Sequence, residues 1–147
     1  MLTYLVERAG VDLYVKNKFG STVMHIATQS DQPLSIYYFW NRGMDIDIRD
    51  SNNSTPLHWA CYSKSEFALS YILALNPDLE VQDQVGCTPL HLAIKSVGDL
   101  RSTRPVRALL LKGSKRSATN TKGETCVDMI PENAPESMVG ELTQMLK

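Results

Sequence analysis

Three histidines recur at intervals of 33 residues and are the first candidates for chemistry: His25, His58 and His91. Imidazole is a frequent zinc ligand and a frequent general base. A metal site needs ligands that converge on one point, whereas residues on successive packed helices lie roughly 10 Å apart. The spacing therefore favours a hydrogen bond from each imidazole to the neighbouring turns, and we expect neither a metal site nor a cofactor.

The three cysteines, Cys61, Cys87 and Cys126, are the other candidates for catalysis or metal binding. Cys61 follows His58 by three residues on one predicted helix, but no second pair of ligands faces them, and zinc is a weak hypothesis. Cys87 lies near His91 in the sequence without an orienting third group or an oxyanion site. No glycine-rich phosphate loop accompanies them. We therefore expect no catalytic activity and no small-molecule substrate.

The composition is that of an ordinary globular protein, with 43% apolar and 21% charged residues. The net charge of −1 gives no general attraction for nucleic acid. No apolar run is long enough to span a bilayer, and the first residues lack the pattern of a signal peptide. The odd number of widely separated cysteines favours a reducing compartment, and we expect a cytoplasmic location.

A basic stretch departs from this even composition, because residues 95–122 carry 8 basic and 1 acidic side chains. Arg101, Arg104 and Arg107 are spaced by three residues within it. They could form a patch for anionic lipid headgroups or for an acidic partner. They could also be balanced by acidic residues near the C-terminus, and charge balance is the favoured interpretation. The acidic residues in question are Glu132, Glu136 and Glu141.

These residues are positioned by a repeat. Three segments share a Thr-Pro-Leu-His-x-Ala pattern in whole or in part, a fourth is weaker, and Asp50, Asp83 and Asn120 recur at matching places. The segments are residues 20–27, 53–60, 86–93 and 123–130. A threonine is a good N-cap, because its hydroxyl accepts a free backbone N–H, and proline is tolerated at the first helical position. The first three segments therefore predict short helices that begin after Thr22, Thr55 and Thr88.

A second helix follows in each repeat, with apolar side chains at helical spacing. The residues predicted to be buried are Ile36, Phe39, Trp40, Leu69, Ile72, Leu73, Val106, Leu109 and Leu110. Gly43, Asn76 and Gly113 come after these helices, where a left-handed residue commonly ends a helix.

The third repeat is four residues longer than the two before it. Pro105 predicts the first turn of its second helix, with Ser102 or Thr103 as the cap. Residues 97–103 would then form an enlarged loop.

The two ends of the chain depart from the repeat. Leu2, Leu5 and Val6 predict a second helix without a preceding first helix, which suggests a piece cut from a longer chain. Residues 138–146 predict a final amphipathic helix that caps the stack. We expect a partial repeat at 1–19, repeats at 20–52, 53–85 and 86–122, and a capping repeat at 123–147.

The 33-residue period and the Thr-Pro-Leu-His-x-Ala pattern resemble the ankyrin-repeat family. The resemblance implies an all-α solenoid of helix-turn-helix repeats with projecting hairpin fingers. It also implies that a protein or peptide partner binds along a concave face built from the fingers and the first helices.

Seven residues on this face are candidates for protein binding: Phe19, Ser30, Asn52, Trp59, Tyr62, Val85 and Lys95. Phe19 and Val85 are apolar at fingertips, where turns are normally polar. Trp59 and Tyr62 are of the types that commonly anchor interfaces. Burial in the core is an equal alternative for Trp59, and it is the favoured interpretation for Trp40.

A narrower resemblance rests on Asn53-Ser-Thr-Pro-Leu-His-Trp-Ala60, on Leu-Asn-Pro-Asp-Leu79 and on the lengthened third repeat. These features are similar to the ankyrin region of DHHC-type protein palmitoyltransferases. In that family the ankyrin domain is cytosolic and recruits protein substrates by binding short, extended segments. The resemblance implies that Trp59 takes part in binding and that Ser30 replaces the family's partner asparagine. The catalytic Asp-His-His-Cys motif and the membrane spans do not occur in this sequence.

Two other functions remain open. The chain could be a regulatory ankyrin protein that binds and masks a folded signalling partner. It could also be a tether that holds its basic stretch against an anionic membrane. Binding to a disordered peptide would favour segment recognition, binding to a folded domain would favour masking, and liposome binding that salt abolishes would favour the tether.

Overall fold

The computed structural model describes residues 12–147, which form eight α-helices and one short 3₁₀ helix. The first helices of the repeats are α1 (Val23–Gln29), α3 (Pro56–Tyr62) and α5 (Pro89–Lys95). The second helices are α2 (Pro33–Asn41), α4 (Glu66–Ala74) and α7 (Arg104–Lys112). First helices pack on first helices and second helices on second helices, so the repeats stack. The expected all-α solenoid is confirmed, and the helix expected at Leu2, Leu5 and Val6 lies outside the described residues.

Each first helix begins directly after a threonine with an extended backbone, as predicted for Thr22, Thr55 and Thr88. Pro56 and Pro89 occupy the first helical position, where a missing N–H costs nothing because it has no intrahelical partner. The inward faces of these helices are small or apolar. The residues that form the inward face of α3 are Leu57, Ala60 and Cys61, all buried. Small side chains at these places allow neighbouring first helices to approach closely.

The second helices bury most of the apolar residues that their spacing predicts, but Leu110 is only half-buried and Trp40 is exposed. Ile36 and Phe39 of α2 are buried, as are the corresponding residues of α4. Trp40 is 41% exposed, so the prediction that it belongs to the core is wrong. Trp40 follows the buried Ile36 by four residues, a rotation of about 40° around the helix. It therefore points in the direction of the packed face, but neighbouring elements cover its indole only in part.

Left-handed residues end the second helices and turn the fingers. Gly43, Asn76 and Gly113 have φ angles of 96°, 54° and 103°, which confirms their predicted role as helix terminators. Gly86 and Gly123, with φ of 80° and 77°, lie in the finger turns.

The four extra residues of the third repeat fold as a helical turn. Helix α6 spans Val97–Leu100 and ends at Arg101, whose φ is 54°. The prediction of an enlarged loop at 97–103 is therefore wrong, because the side chain of Val97 is completely buried and holds the insertion against the core. Thr103 immediately precedes α7 and Pro105 lies in its first turn, as predicted.

The last repeat is abbreviated. The 3₁₀ helix Val127–Met129 takes the place of a first helix, and Pro131 follows two residues later, where proline disfavours continuation of a helix. The predicted final helix is confirmed as α8 (Glu136–Met145), with Leu142 and Leu146 buried against the stack. Between residues 12 and 147, no helix has the length and apolar character needed to cross a membrane.

Candidate functional site: the concave face

Each finger turn is shaped by one side-chain oxygen. Oδ1 of Asp50 accepts hydrogen bonds from the backbone N–H groups of Asn52 and Ser54, at 2.9 Å each. The same two bonds form in the other fingers, at Asn17, Asp83 and Asn120. Either an aspartate or an asparagine can supply this oxygen, which explains why both types recur at one repeat position.

The fingers are hydrogen-bonded to one another at their tips. The bonds run from Ser51 N–H to Phe19 O (3.2 Å), from Gln84 N–H to Asn52 O (2.8 Å) and from Thr121 N–H to Val85 O (3.1 Å). A Cβ on Gly86 would lie 2.6 Å from the backbone nitrogen of Thr121, so only glycine permits this approach. The predicted fingertip residues Phe19, Asn52 and Val85 therefore occupy one continuous wall.

The first helices are joined to the next finger through their histidines. Nδ1 of His25 accepts the N–H of Thr22 at 3.2 Å, and its Nε2–H donates to the carbonyl of Ser54 at 3.0 Å. His58 repeats the arrangement with Thr55 and Cys87. Because a carbonyl can only accept, Nε2 carries a proton, and because Nδ1 accepts a backbone N–H it carries none, so both imidazoles are neutral. Burial lowers the pKa of His25 and of His58.

His91 breaks this pattern at the last repeat. Its Nδ1 accepts the N–H of Thr88 at 3.1 Å, but no group within residues 12–147 bonds to its buried Nε2. The expectation that every imidazole bonds to a neighbouring turn is confirmed for His25 and His58 and is wrong for Nε2 of His91. In the abbreviated repeat Asp128 replaces the histidine, and its carboxylate accepts from Thr125.

Trp59 links its helix to the preceding finger. Its indole Nε1–H donates to Oδ2 of Asp50 at 3.0 Å. Its ring packs on His25, with centroids 5.3 Å apart, and lies 6.2 Å from the ring of Tyr62. Trp59 is half-buried and Tyr62 is 41% exposed, so the indole is held in place while part of it remains open.

A cleft of about 500 Å³ opens in front of these rings, and we call it the aspartate cleft. Its lining residues are Phe19, Asp50, Asn52, Ser54, Trp59, Tyr62, Asp83, Gln84, Val85 and Leu92. Five of the seven candidate binding residues therefore meet here. Their exposed side chains include Phe19, at 61%, and Val85, at 54%.

The remaining two candidates lie elsewhere. Ser30 ends α1 and does not line the aspartate cleft. Lys95 lines a second cleft of about 440 Å³, which we call the lysine cleft and which also includes Lys122, Glu124 and Val85. Sequence reasoning found that Asp50 and Asp83 recur at matching places and missed that their carboxylates line the aspartate cleft. The sequence signal for this was the position of Asp83 two residues before the apolar fingertip Val85.

The carboxylates make the aspartate cleft electrostatically negative. Desolvation and the charge of Asp50 raise the pKa of the Tyr62 phenol to about 12. Oδ1 of Asp83 is used by its own turn, and no group in the described part of the chain donates to its Oδ2. One carboxylate oxygen in the cleft is thus free to accept.

The arginines of the basic stretch are largely used within the protein. Arg107 forms an ion pair with Glu141 of α8, which confirms the charge-balance interpretation for this residue. Nη1 of Arg104 lies 3.2 Å from Oε2 of Glu66, a partner in the preceding repeat that the sequence did not identify. Arg101 is exposed. The ion pairs leave less of this charge available to a membrane.

The cysteines do not form a reactive centre. Cys61, Cys87 and Cys126 are free thiols and are buried. Burial raises the pKa of all three, for Cys126 to about 11, so the nucleophilic thiolate is disfavoured. Over the described range, no group of three or more His, Cys, Asp or Glu side chains could hold a metal ion.

Two protein-family models match the sequence. The model described as Ankyrin repeats (3 copies) matches residues 1–83, and the model described as Ankyrin repeat matches residues 85–121. No match was found among curated proteins. The first model alone covers more than half of the chain, and the two together include the fingers and first helices that line the aspartate cleft.

Proposed function

The chain belongs to the ankyrin-repeat family, and on that premise we propose that its aspartate cleft binds a short, extended segment of a partner protein. Ankyrin repeats generally serve as non-catalytic modules for protein–protein interaction. The observation that carries the proposal is the position of Trp59 and Tyr62, side by side in an open cleft between the exposed fingertips Phe19 and Val85. We retain as part of the proposal the repeat boundaries 1–19, 20–52, 53–85, 86–122 and 123–147.

The distribution of backbone hydrogen bonds supports recognition through side chains. The carbonyl groups of Phe19, Asn52 and Val85 already accept N–H groups of the next finger. A partner segment that paired with the fingertips as an extra strand would therefore gain few backbone hydrogen bonds. Covering an exposed aromatic or branched side chain contributes about 1–2 kcal/mol, so Phe19 and Val85 would supply binding energy together with Trp59.

The finer proposal is that this segment belongs to a substrate of protein S-palmitoylation. It rests on the resemblance of the Leu-His-Trp-Ala helix to that of DHHC-type palmitoyltransferases, where the matching tryptophan binds substrate segments. Trp59 is held by Asp50 and His25 with part of its ring open, as such a role requires. Under this proposal the domain lies at the cytosolic face of a membrane, and the acyl transfer itself belongs to another part of the protein.

Two rival functions predict different partners. A regulatory protein that masks a folded signalling partner would contact a wider area, including Ser30 and Lys95 outside the aspartate cleft. A membrane tether would depend on Arg101, Arg104 and Arg107. The ion pairs of Arg104 and Arg107 weigh against the tether, and vesicles rich in anionic lipid test it directly, because a tether would bind them and release them in salt.

A matched pair of tryptophan variants tests the proposed function. A library of random peptides displayed on phage is selected on the whole chain, and the selected peptides are titrated into wild type, Trp59→Ala and Trp40→Ala. Trp40 is exposed on α2 and does not line the cleft, so it controls for loss of an exposed indole. We expect at least tenfold weaker binding to Trp59→Ala and unchanged binding to Trp40→Ala. Equal binding by all three proteins would contradict the proposal, and enrichment of S-acylated proteins among Trp59-dependent partners in cells would support its finer form.

A further inference from the structure

The aspartate cleft combines aromatic rings with two carboxylates. Asp50 and Asp83 both line it, and among its described lining residues there is no lysine or arginine. Oδ2 of Asp83 has no hydrogen-bond donor within residues 12–147, as noted above. A carboxylate without a cationic partner in a half-enclosed cleft favours a positively charged ligand group.

The rings reinforce this preference. The face of an aromatic ring attracts a cation, most strongly for tryptophan and tyrosine. Nζ of Lys18 already lies 5.1 Å from the ring centroid of Phe19, so a cation of the chain itself lies over this ring. Trp59 and Tyr62, whose ring centroids lie 6.2 Å apart, are then the rings available to a cation from outside.

The neighbouring lysine cleft has the opposite balance. Lys95 and Lys122 line it together with one carboxylate, Glu124, whose Oε1 accepts from the side chain of Asn120 at 3.1 Å. Val85 lines both clefts, so they adjoin at one fingertip. Successive repeats are separated by roughly 10 Å, the spacing of packed helices, and an extended chain covers that distance in about three residues.

We propose that the partner segment carries a lysine or arginine that enters the aspartate cleft and, about three residues away in either direction, an aspartate or glutamate that contacts Lys95 and Lys122. The proposal rests on the proposed function, because it names the chemistry of the segment bound at that same face.

The peptide library gives a first test. Peptides that require Trp59 are sequenced, and we expect a basic and an acidic residue three positions apart to be enriched over the unselected library. Synthetic peptides in which the two charges are three or six residues apart then test the spacing, and the closer pair should bind at least threefold more tightly. Peptides that require Trp59 without any enrichment of charge would overturn this inference and leave the proposed function intact. A selection that yields no Trp59-dependent peptide would overturn both.

Charge-neutralising variants give the second test. Asp83→Asn removes the charge and keeps the oxygen that caps the finger, since Asn17 and Asn120 cap their own turns in the same way. Asp78→Asn is the matched control, because Asp78 is exposed, caps a turn through Oδ1 and lies outside both clefts.

We expect Asp83→Asn to weaken binding of a selected lysine-bearing peptide about threefold and Asp78→Asn to leave it unchanged. Replacing the lysine of the peptide by norleucine should abolish the difference between Asp83→Asn and wild type. A peptide that binds Asp83→Asn and wild type equally would overturn the inference, as would equal losses in the two variants.

Discussion

The indole Nε1–H of Trp59 donates a 3.0 Å hydrogen bond to Oδ2 of Asp50. Asp50 caps the finger that precedes the helix of Trp59, so one carboxylate fixes both the turn and the aromatic ring of the cleft. Under the proposed function this contact preorganises a partly buried tryptophan for binding, because the ring would lose little freedom when a partner arrives.

Replacing the indole of Trp59 by a ring without a donor should separate the contribution of the hydrogen bond to Asp50 from that of the aromatic ring. Trp59→Phe keeps an aromatic ring but removes the donor to Asp50, and we expect the free energy of unfolding to fall by about 1 kcal/mol. Urea denaturation measures the change. Trp40→Phe is the control, since no hydrogen bond of its indole is found among the described residues, and it should change stability by less than about 0.5 kcal/mol. Equal losses in the two variants would show that the bond to Asp50 contributes nothing.

The close approach of the fingers can be measured with two glycines of nearly equal φ. Gly86→Ala places a Cβ 2.6 Å from the backbone nitrogen of Thr121, whereas nothing lies within 4 Å of a Cβ at Gly123. Both substitutions carry the strain of a left-handed alanine, about 1 kcal/mol. We expect Gly86→Ala to lose about 3 kcal/mol of stability, because overpacking adds to this strain, and Gly123→Ala to lose about 1 kcal/mol. Identical urea midpoints for the two variants would contradict the proposed contact between the third and fourth fingers.

The neutral histidines predict a particular pH dependence of stability. His25 and His58 have pKa values lowered below the ordinary 6.5 by burial, so the unfolded chain binds more protons than the folded chain as the pH falls through this range. The free energy of unfolding should therefore decrease as the pH is lowered from about 7.5 to about 5.5. Urea midpoints measure the slope, and imidazole nitrogen shifts should show both rings neutral and protonated on Nε2. A urea midpoint that rises as the pH is lowered would contradict the hydrogen-bond assignment.

One repeat also caps a helix of the next. Oδ1 of Asp31, at a left-handed turn with φ of 53°, accepts the N–H of Ala68 in the first turn of α4 at 2.8 Å. Asp31→Gly removes the acceptor without backbone strain, and we expect a loss of about 1 kcal/mol of stability. Asp31→Asn keeps the oxygen and should stay within about 0.5 kcal/mol of wild type in the same urea experiment. An Asp31→Gly variant as stable as wild type would indicate that water can satisfy the N–H of Ala68 equally well.

The sequence predicts the repeat architecture well because the decisive interactions are local. A threonine cap and an imidazole three residues later define each first helix through bonds spanning four residues, and α3 and α5 also have a proline in the first turn. Left-handed glycine and asparagine then define where each second helix ends. Such signals can be found without knowing what lies next to the repeat.

The failures involve contacts between repeats. Helical spacing gives the direction of Trp40 around its helix but not how far neighbouring elements extend over it. The loop expected at 97–103 becomes α6 because Val97 finds a buried place in the core, which depends on the packing of other repeats. The hydrogen bond from Trp59 to Asp50 and the cap of Ala68 by Asp31 join parts of the chain that local patterns do not connect. At the candidate site the apolar and aromatic residues of the aspartate cleft were predictable, whereas the carboxylates of Asp50 and Asp83 and the position of Lys95 in a separate cleft were not.

The most direct test of the central claim uses the two tryptophans as internal reporters. The chain contains only Trp40 and Trp59, so a nitrogen–proton correlation spectrum has two indole signals, assigned with the alanine variants. A selected peptide is titrated into labelled wild-type protein. We predict that the indole signal of Trp59 shifts in a saturable manner while that of Trp40 stays in place. Saturable binding that leaves Trp59 unmoved would contradict recognition in the aspartate cleft.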